Sequence, residues 1–244
     1  MKQTVFCTAG DSASLRQARN QLLQWGYEVV SAPDSHITHL LLPVPSFEGA
    51  DRIKGNVSLH EVLQNTPKDA IILGGNLPDL PRKTVDFLKD EYYLAENAAI
   101  TAHCTMELLS QKHHRPHQAG DILIIGWGRI GKQLSSLLKA QGVNVTVAVR
   151  KNADMHILQQ LGYEAIKTDQ WNPKKYHIII NTAPAQVLTQ EEADPDALLI
   201  DLASVKGITG DRTIWARGLP NQYAPDLSGI LIAKTALRYA LGKE

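Results

Sequence analysis

Short apolar runs alternate with helix-spaced patterns along the chain, and this alternation is typical of an α/β protein with parallel sheets. The apolar runs predict strands at residues 4–8, 27–30, 38–42, 69–73, 92–95, 122–125, 143–149, 164–167, 177–181, 198–201 and 213–216. Apolar residues at helical spacing predict helices at 12–25, 81–90, 96–112, from the glycine turn near 130 to Gly142, and at 225–241.

A polar segment divides this pattern into two domains. Residues 113–120 read HHRPHQAG, a composition that breaks a helix. We expect a flavodoxin- or Rossmann-like substrate domain at 1–96, a connecting helix and linker at 97–118, a dinucleotide-binding Rossmann domain at 119–224 and a terminal helix at 225–244. The expected fold is two doubly wound α/β domains with parallel sheets, joined by a long helix, with the C-terminal helix packing back on the first domain.

A G-x-G-x-x-G motif lies between a predicted strand and a predicted helix, in the sequence ILIIGWGRIG at 122–131. In that setting Gly126 permits a tight turn, Gly128 permits a pyrophosphate to approach the backbone, and Gly131 permits the helix to pack close to the strand. The helix N-terminus then offers N–H groups to the phosphates. A glycine-rich turn without a ligand is the alternative, and the complete βαβ context favours a dinucleotide.

The end of the next strand indicates which dinucleotide binds. NAD sites carry an Asp or Glu about 20 residues farther on, whereas this strand ends at Arg150 and Lys151. Cations suit the 2′-phosphate of NADP, and an acid would repel it. We therefore predict NADP, with NAD as the alternative. Asp154 is the competing candidate for a ribose contact, and Arg150 and Lys151 could also be ordinary solvated cations.

Turns of small residues follow the later strands, at the edge of a doubly wound sheet where ligands bind. Each turn alone is compatible with simple loop chemistry, but several at one edge favour a dinucleotide pocket. The predicted cofactor contacts are Gly126, Trp127, Gly128, Arg129, Ile130, Gly131, Arg150, Lys151, Asn181, Thr182, Ala183, Pro184, Leu202, Ala203, Ser204, Pro220, Tyr223 and Pro225.

Composition argues against several other classes of protein. Lys+Arg and Asp+Glu both number 25, so the formal net charge is zero and no basic patch for nucleic acid is indicated. No apolar run approaches the length of a membrane span, and we expect a cytoplasmic protein with neither nucleic acid nor membrane as partner. His113, His114 and His117 lack acidic or cysteine partners at ligand spacing, so a solvated linker is favoured over a metal site and no metal is predicted.

Further segments occur in a characteristic order along nearly the whole chain. They read AGD at 9–11, LLPVPSF at 41–47, ENAAITAHCTMELL at 96–109, ILIIGWGRIGKQL at 122–134, VTVAVRKNAD at 145–154, NTAPAQVL at 181–188, LIDLASVKG at 199–207 and GLPNQYAPDLSGILIA at 218–233. Together they resemble the dipicolinate synthase A chain family. The cofactor domain also resembles that of D-2-hydroxyacid dehydrogenases, but the strand ends lack the Arg of that family and no matching catalytic His is found.

The resemblance implies an NADP-dependent oxidoreductase of sporulation that oxidises a dihydrodipicolinate-type ring to dipicolinate. It implies a small dicarboxylate substrate and a separate flavoprotein-like second subunit, and we expect a homo-oligomer. By placement, the substrate contacts are predicted in a cleft between the domains, at Pro45, Ser46, Asn97, Thr101 and Lys206. No catalytic residue is identified. The alternatives are a different NAD(P)-dependent dehydrogenase on the same scaffold and a catalytically inactive NAD(P)-binding regulatory protein.

Overall fold

The chain folds as two compact units in a computed structural model that describes residues 3–49, 52–112 and 121–242. The first unit comprises Met1–Ile100 and Pro220–Glu244, and the second unit comprises Thr101–Leu219. The first unit is therefore discontinuous in sequence. These limits lie a few residues from the boundaries expected at 96 and 224.

Strands and helices alternate through both units. In the described residues the helices are α1 Ala13–Gln24, α2 Leu59–Gln64, α3 Glu91–Lys112, α4 Arg129–Ala140, α5 Asn152–Gln160, α6 Leu219–Tyr223 and α7 Pro225–Ala240. The strands are β1 Val5–Thr8, β2 Glu28–Val30, β3 His39–Leu41, β4 Arg52–Ile53, β5 Val57–Ser58, β6 Ile71–Gly74, β7 Thr84–Asp86, β8 Ile122–Ile125, β9 Val145–Val149, β10 Glu164–Lys167, β11 Ile178–Asn181, β12 Leu188–Thr189, β13 Leu198–Asp201, β14 Ile208–Thr209 and β15 Ile214–Trp215.

The first unit is built on a parallel sheet with the strand order β2-β1-β3-β6-β7. Leu15, Ala18 and Leu22 recur at helical spacing on α1, so they form one buried face that packs into the core beside Phe6 of β1. Helix α7 adds Ile232 and its neighbours to the same core. The C-terminal helix therefore packs on the first unit, as predicted.

Two of the elements predicted in the first unit are wrong, and the short α2, β4 and β5 were not predicted. The predicted helix at 81–90 is wrong, because β-branched Thr84 and Val85 extend the sheet as β7 beside β6, followed by a 3-10 turn at Phe87–Lys89. The predicted strand at 92–95 is also wrong, because these residues lie in α3. The side chain of Asp90 accepts a hydrogen bond from the Tyr93 N–H at 2.7 Å and so caps this helix.

The second unit contains a parallel sheet with the strand order β10-β9-β8-β11-β13-β15. Every residue of β8, β9 and β11 is buried, as continuous apolar strands are when both faces of a sheet are covered. The strand order reverses beside β8, because the chain continues first to β9 on one side and later to β11 on the other. The carboxyl ends at this switch point form a crevice of the kind in which doubly wound sheets bind ligands. The predicted fold class is confirmed.

Candidate functional site

The turn between β8 and α4 depends on two of its three glycines for its shape. Gly126 has a φ of +93°, and a Cβ there would lie 2.9 Å from Thr182 Oγ1. A Cβ on Gly131 would overlap the carbonyl oxygen of Gly126, so this position requires glycine for close packing of helix on strand. A Cβ on Gly128, in contrast, would meet no described atom within 4 Å. Gly128 thus borders open space, which a phosphate group could occupy.

The N-terminus of α4 has the properties of an anion-binding site. Gly128 is the N-cap, and no side chain among the described residues caps the helix. The first turn contains Arg129 and no acid, and Lys132 follows it. Cations at a helix N-terminus oppose the helix dipole by about 0.3–1 kcal/mol each. A bound polyanion would turn that unfavourable arrangement into a favourable one.

A pocket of about 680 Å³ opens beside this turn, within the second unit. Its volume falls in the range of about 300–1,000 Å³ that ligand pockets usually have. Its lining residues are Ile125, Gly126, Trp127, Gly128, Ala148, Val149, Arg150, Lys151, Asp154, Thr168, Trp171, Thr182, Ala183, Pro184, Ala185, Gln186 and Val187. The pocket therefore spans the carboxyl ends of β9, β8 and β11, on both sides of the switch point.

The end of β9 brings positive charge to one side of the pocket. Arg150 and Lys151 are both exposed and line it. Lys167, at the end of β10, donates from Nζ to the Arg150 carbonyl oxygen and to Asn152 Oδ1, the latter at 2.9 Å. Asp154 also lines the pocket, but it lies in the first turn of α5, where an acid stabilises the helix dipole. Its presence therefore has an explanation that does not involve a ribose.

A buried polar pair fixes the opposite side. Asn181 and Asp201 are paired in register at the ends of β11 and β13 and are both fully buried. Asn181 Nδ2 donates to Asp201 Oδ1 at 3.1 Å and to the Ala183 carbonyl oxygen at 3.0 Å, and Asn181 Oδ1 accepts from the Ala183 N–H at 2.9 Å. Thr182 Oγ1 donates to the Ile125 carbonyl oxygen at 3.0 Å. The turn after β11 is thus tied to both neighbouring strands.

Known proteins share both the sequence pattern and the fold of this chain. No family model matches it. The dipicolinate synthase A chain of Bacillus subtilis (strain 168) is 28% identical over 223 residues, which cover 84% of this chain and 75% of that protein. Crystal structures of the dipicolinate synthase A chains from Bacillus halodurans and Bacillus subtilis have TM-scores of 0.82 and 0.81, at 19% and 22% identity. They cover 98% and 99% of this chain, and it covers 98% and 97% of theirs. The resemblance to dipicolinate synthase is confirmed.

The wider fold is shared with dehydrogenases. Salmonella D-lactate dehydrogenase has a TM-score of 0.61 at 11% identity, with 99% of this chain and 98% of that chain covered. At such low identity the likeness concerns the fold alone. The chain therefore shares its fold with this dehydrogenase.

The structure brings part of the predicted cofactor set together. Eight of the predicted contacts line the pocket: Gly126, Trp127, Gly128, Arg150, Lys151, Thr182, Ala183 and Pro184. Five others do not line it: Ile130 and Gly131 lie in α4, Asn181 ends β11, and Leu202 and Ala203 are buried after β13. Arg129 begins α4, and Ser204 is exposed on the loop after β13. Pro220, Tyr223 and Pro225 belong to the first unit. As cofactor contacts, all of these residues stay predictions.

The predicted substrate residues have varied surroundings. Ser46 is fully buried, and its Oγ donates to the Pro43 carbonyl oxygen at 2.7 Å and accepts from the Gly75 N–H at 3.0 Å. These two hydrogen bonds join the loop after β3 to the chain after β6, so this hydroxyl has an evident structural role. Pro45, joined to Val44 by a cis peptide bond, is half-buried.

The other three predicted substrate residues lie in the long helix and in the loop after β13. Asn97 is half-buried and Thr101 is buried, both in α3. Lys206 Nζ donates to the Gly210 carbonyl oxygen at 3.2 Å. The substrate role of all five residues stays a prediction.

Five residues that line the pocket from its surrounding loops were not predicted from the sequence. Thr168 and Trp171 line it from the loop after β10, and Ala185, Gln186 and Val187 line it beyond the predicted turn at 181–184. The one usable signal was the aromatic residue Trp171, which follows a strand on the side of the crevice that carries Arg150. The remaining positions lie on irregular chain without a residue pattern.

Other predicted features fall outside this pocket. In residues 3–49, 52–112 and 121–242, no group of three or more His, Cys, Asp or Glu side chains is arranged to hold a metal ion. His113, His114 and His117 lie outside the described residues. No described helix is both long and apolar enough to cross a bilayer.

Proposed function

We propose that this protein is an NADP-dependent oxidoreductase of the same type as the dipicolinate synthase A chain, which oxidises a dihydrodipicolinate-type precursor to dipicolinate. The observation that carries the proposal is the pocket at the switch point of the second unit, formed by the glycine turn and by Arg150 and Lys151. The similarity to dipicolinate synthase over 84% of the chain supplies the reaction. A dehydrogenase acting on another ring is the competing proposal.

The pocket residues fit NADP in shape and in charge. The open space beside Gly128 suits a pyrophosphate, since a side chain at that position would fill it. Arg150 presents a planar fork and Lys151 a compact charge, both suited to a 2′-phosphate. Asp154 is the acid among the described lining residues, and its place in the first turn of α5 explains it. The balance of charge at this end favours NADP over NAD.

The proposed reaction removes a hydride and a proton from the substrate ring and gives an aromatic pyridine. NADP supplies the hydride acceptor when it is bound. The residues of the chain then have to orient the two rings and hold the substrate carboxylates, because aromatisation itself drives the step. Asn181, Thr182 and Asp201 hold the turn on the side of the switch point away from Arg150, where the second half of a dinucleotide would lie.

Turnover of a defined substrate tests this proposal. The purified protein is mixed with NADP and freshly made dihydrodipicolinate, and the absorbances of NADPH and of dipicolinate are followed together. Equal rates of appearance of the two products would support the proposal. Reduction of NADP by another reduced ring or by a 2-hydroxy acid, without turnover of dihydrodipicolinate, would establish the competing dehydrogenase.

Two related proposals concern partners. The resemblance supports a flavoprotein-like second subunit, and we also propose a homo-oligomeric state. Both can be measured with the same preparation. Binding of NADP without turnover, even after addition of the flavoprotein from a relative, would instead favour the regulatory binding protein.

A further inference from the structure

The carboxyl group of Asp201 accepts four hydrogen bonds, one from the end of β11 and three from the chain that follows β13. Oδ1 accepts from Asn181 Nδ2 at 3.1 Å and from the Ala203 N–H at 2.9 Å. Oδ2 accepts from the N–H groups of Gly207 and Ile208, at 2.6 and 2.7 Å. The residue is fully buried and does not line the pocket. Burial of a carboxyl group costs free energy unless its oxygens are hydrogen-bonded. The four donors offset that cost for Asp201.

The bonds of Asp201 lead to both ends of one pocket wall. That wall is the segment 182–187, which lines the pocket along its whole length. At its beginning, Asn181 is bonded to Asp201 and to both backbone groups of Ala183. At its end, Val187 donates its N–H to the Gly207 carbonyl oxygen at 2.8 Å, while the Gly207 N–H is held by Asp201.

Gly207 adds a steric restraint at the same place. A Cβ at this position would overlap the carbonyl oxygen of Ala185 and would lie 2.5 Å from Asn181 Nδ2. The loop after β13 therefore lies directly against the middle of the wall. One buried carboxyl group thus fixes the beginning, the middle and the end of a surface that it does not itself form.

We propose that Asp201 is a positioning residue of the cofactor site, which holds the wall 182–187 in the shape required by the half of the dinucleotide that lies beyond the switch point. The proposal rests on the proposed function, because it takes NADP as the ligand. The wall follows β11, whereas Arg150 follows β9 on the other side of β8. Asp201 should therefore act on one half of the cofactor and leave the adenosine 2′-phosphate half unaffected.

A comparison of two ligands separates this role from a general loss of structure. In Asp201→Asn, one acceptor oxygen becomes an NH₂ group that faces backbone N–H donors. We expect the dissociation constant of NADP to rise about tenfold through loss of preorganisation, and that of 2′,5′-ADP to change less than about twofold. Calorimetric titration measures both. Equal weakening of the two ligands, or unchanged binding of NADP, would overturn the proposal.

Asp86→Asn is the matched control. Asp86 accepts backbone N–H bonds from Asn76, Leu77 and Leu88, at 3.0, 3.3 and 2.9 Å, but it lies in the first unit. Its replacement should lower stability without changing the affinity for either ligand. If Asp201→Asn does not fold, Asn181→Ala is used in its place. This variant removes the side-chain hydrogen bonds to Ala183 and keeps the backbone hydrogen bonds of Asp201. NADP binding should again weaken while 2′,5′-ADP binding changes little.

Hydrogen exchange distinguishes failure of this proposal from failure of the proposed function. If the wild-type protein binds neither NADP nor NAD, the proposed function fails. Faster exchange of the Ala183 and Val187 amides in Asp201→Asn, with exchange in β8 unchanged, would still show that Asp201 positions the wall. Unchanged exchange at both amides would refute the positioning role independently of any ligand.

Discussion

Helices α1 and α4 have equal lengths and both follow a strand and a glycine turn, but within the described residues only the N-terminus of α1 is capped by a side chain. In the first unit, Ser12 caps α1 by accepting from the Leu15 N–H at 3.1 Å, and Asn221 Oδ1 accepts from the Ser14 N–H at 2.9 Å. In the second unit, Gly128 begins α4, and no described side chain caps it. Side chains of the protein therefore accept from N–H groups at the start of α1, whereas the N-cap of α4, Gly128, lines the pocket and has no such side-chain acceptor among the described residues.

The space beside the two turns differs in the same sense. A Cβ on Gly10, in the first turn, would lie 2.8 Å from the carbonyl oxygen of Lys54 and would overlap the side chain of Ile53. A Cβ on Gly128 would meet open space. A strand followed by a glycine turn and a helix is thus not a binding site by itself. An uncapped N-terminus next to empty volume is what distinguishes the turn of the second unit.

Replacing Gly128 with Asp should remove this difference and have the largest effect on binding. An N-cap Asp accepts hydrogen bonds from the helix N–H groups, and because Gly is already a tolerable N-cap, stability should rise by only about 0.3 kcal/mol. The same carboxylate would compete with the pyrophosphate, and loss of two charge-assisted contacts corresponds to at least about a hundredfold weaker NADP binding. Thermal unfolding and calorimetric titration measure the two effects. Binding as tight as in the wild-type protein would show that phosphates do not use this turn.

Replacing Arg150 and Lys151 together with Ala should alter the choice of cofactor. Removal of contacts to a 2′-phosphate should weaken NADP by about 10- to 100-fold, while NAD affinity should change little. Lys174→Ala and Lys175→Ala, made together in the 3-10 turn at Pro173–Lys175, provide a control of equal charge. Equal losses for NADP and NAD would contradict the NADP assignment.

The two units should also differ in their response to acid. His39 of the first unit is 6% exposed, and burial, with the charge of Lys83, lowers its pKa from 6.5 to about 4. Between pH 6.5 and 4 the imidazole is protonated in the unfolded chain but stays neutral in the folded chain. Folding is therefore not penalised by His39 above pH 6.5, and the free energy of unfolding decreases as the pH falls toward 4. The loss is on the order of 2–3 kcal/mol.

Urea unfolding followed by hydrogen exchange, at about pH 7 and about pH 4.5, measures this difference. The first unit should lose more protection than the second in the wild-type protein. His39→Gln, which does not titrate, should reduce the contrast. If the variant and the wild-type protein lose the same protection between the two pH values, groups other than His39 cause the loss.

Removing the cap of α1 should have the smallest effect. Ser12→Ala should lower stability by about 1 kcal/mol because the Leu15 N–H loses its acceptor. NADP affinity should stay unchanged, since this cap lies in the first unit. A change in affinity comparable with that of the Gly128 variant would show that the two turns are not independent.

The glycine turn at the centre of the site could be predicted from the sequence, because glycine is required where the backbone has a positive φ or where another chain segment comes close. Gly126 and Gly131 have the conformation and the close approach that their spacing indicated. The predicted start of α3 was wrong because Tyr92 to Ala95 form a short apolar run, although the signal was present: Asp90 precedes Tyr93 at the spacing of an N-cap.

Residues on irregular chain could not be placed in advance. Trp171 and Gln186 reach the pocket through loops whose path depends on tertiary contacts rather than on periodicity. Asn181 was predicted as a cofactor contact from its place at a strand end, and in the structure its side chain hydrogen-bonds Ala183 and Asp201. A polar residue at a strand end indicates that an oxygen or nitrogen is needed there, but not whether its partner is a ligand or the backbone.

The packing of α7 on α1 has a consequence for the order in which the protein can assemble. Gly229 of α7 lies so close to α1 that a Cβ would come within 2.5 Å of Gln17 Cβ, and Leu231 and Ile232 enter the core formed by the first 100 residues. These residues are synthesised after the whole of the second unit. The second unit can therefore complete its sheet without α7, whereas α1 keeps an apolar face uncovered until α7 has been synthesised. A polypeptide interrupted before Pro225 would leave that face exposed to chaperones and proteases.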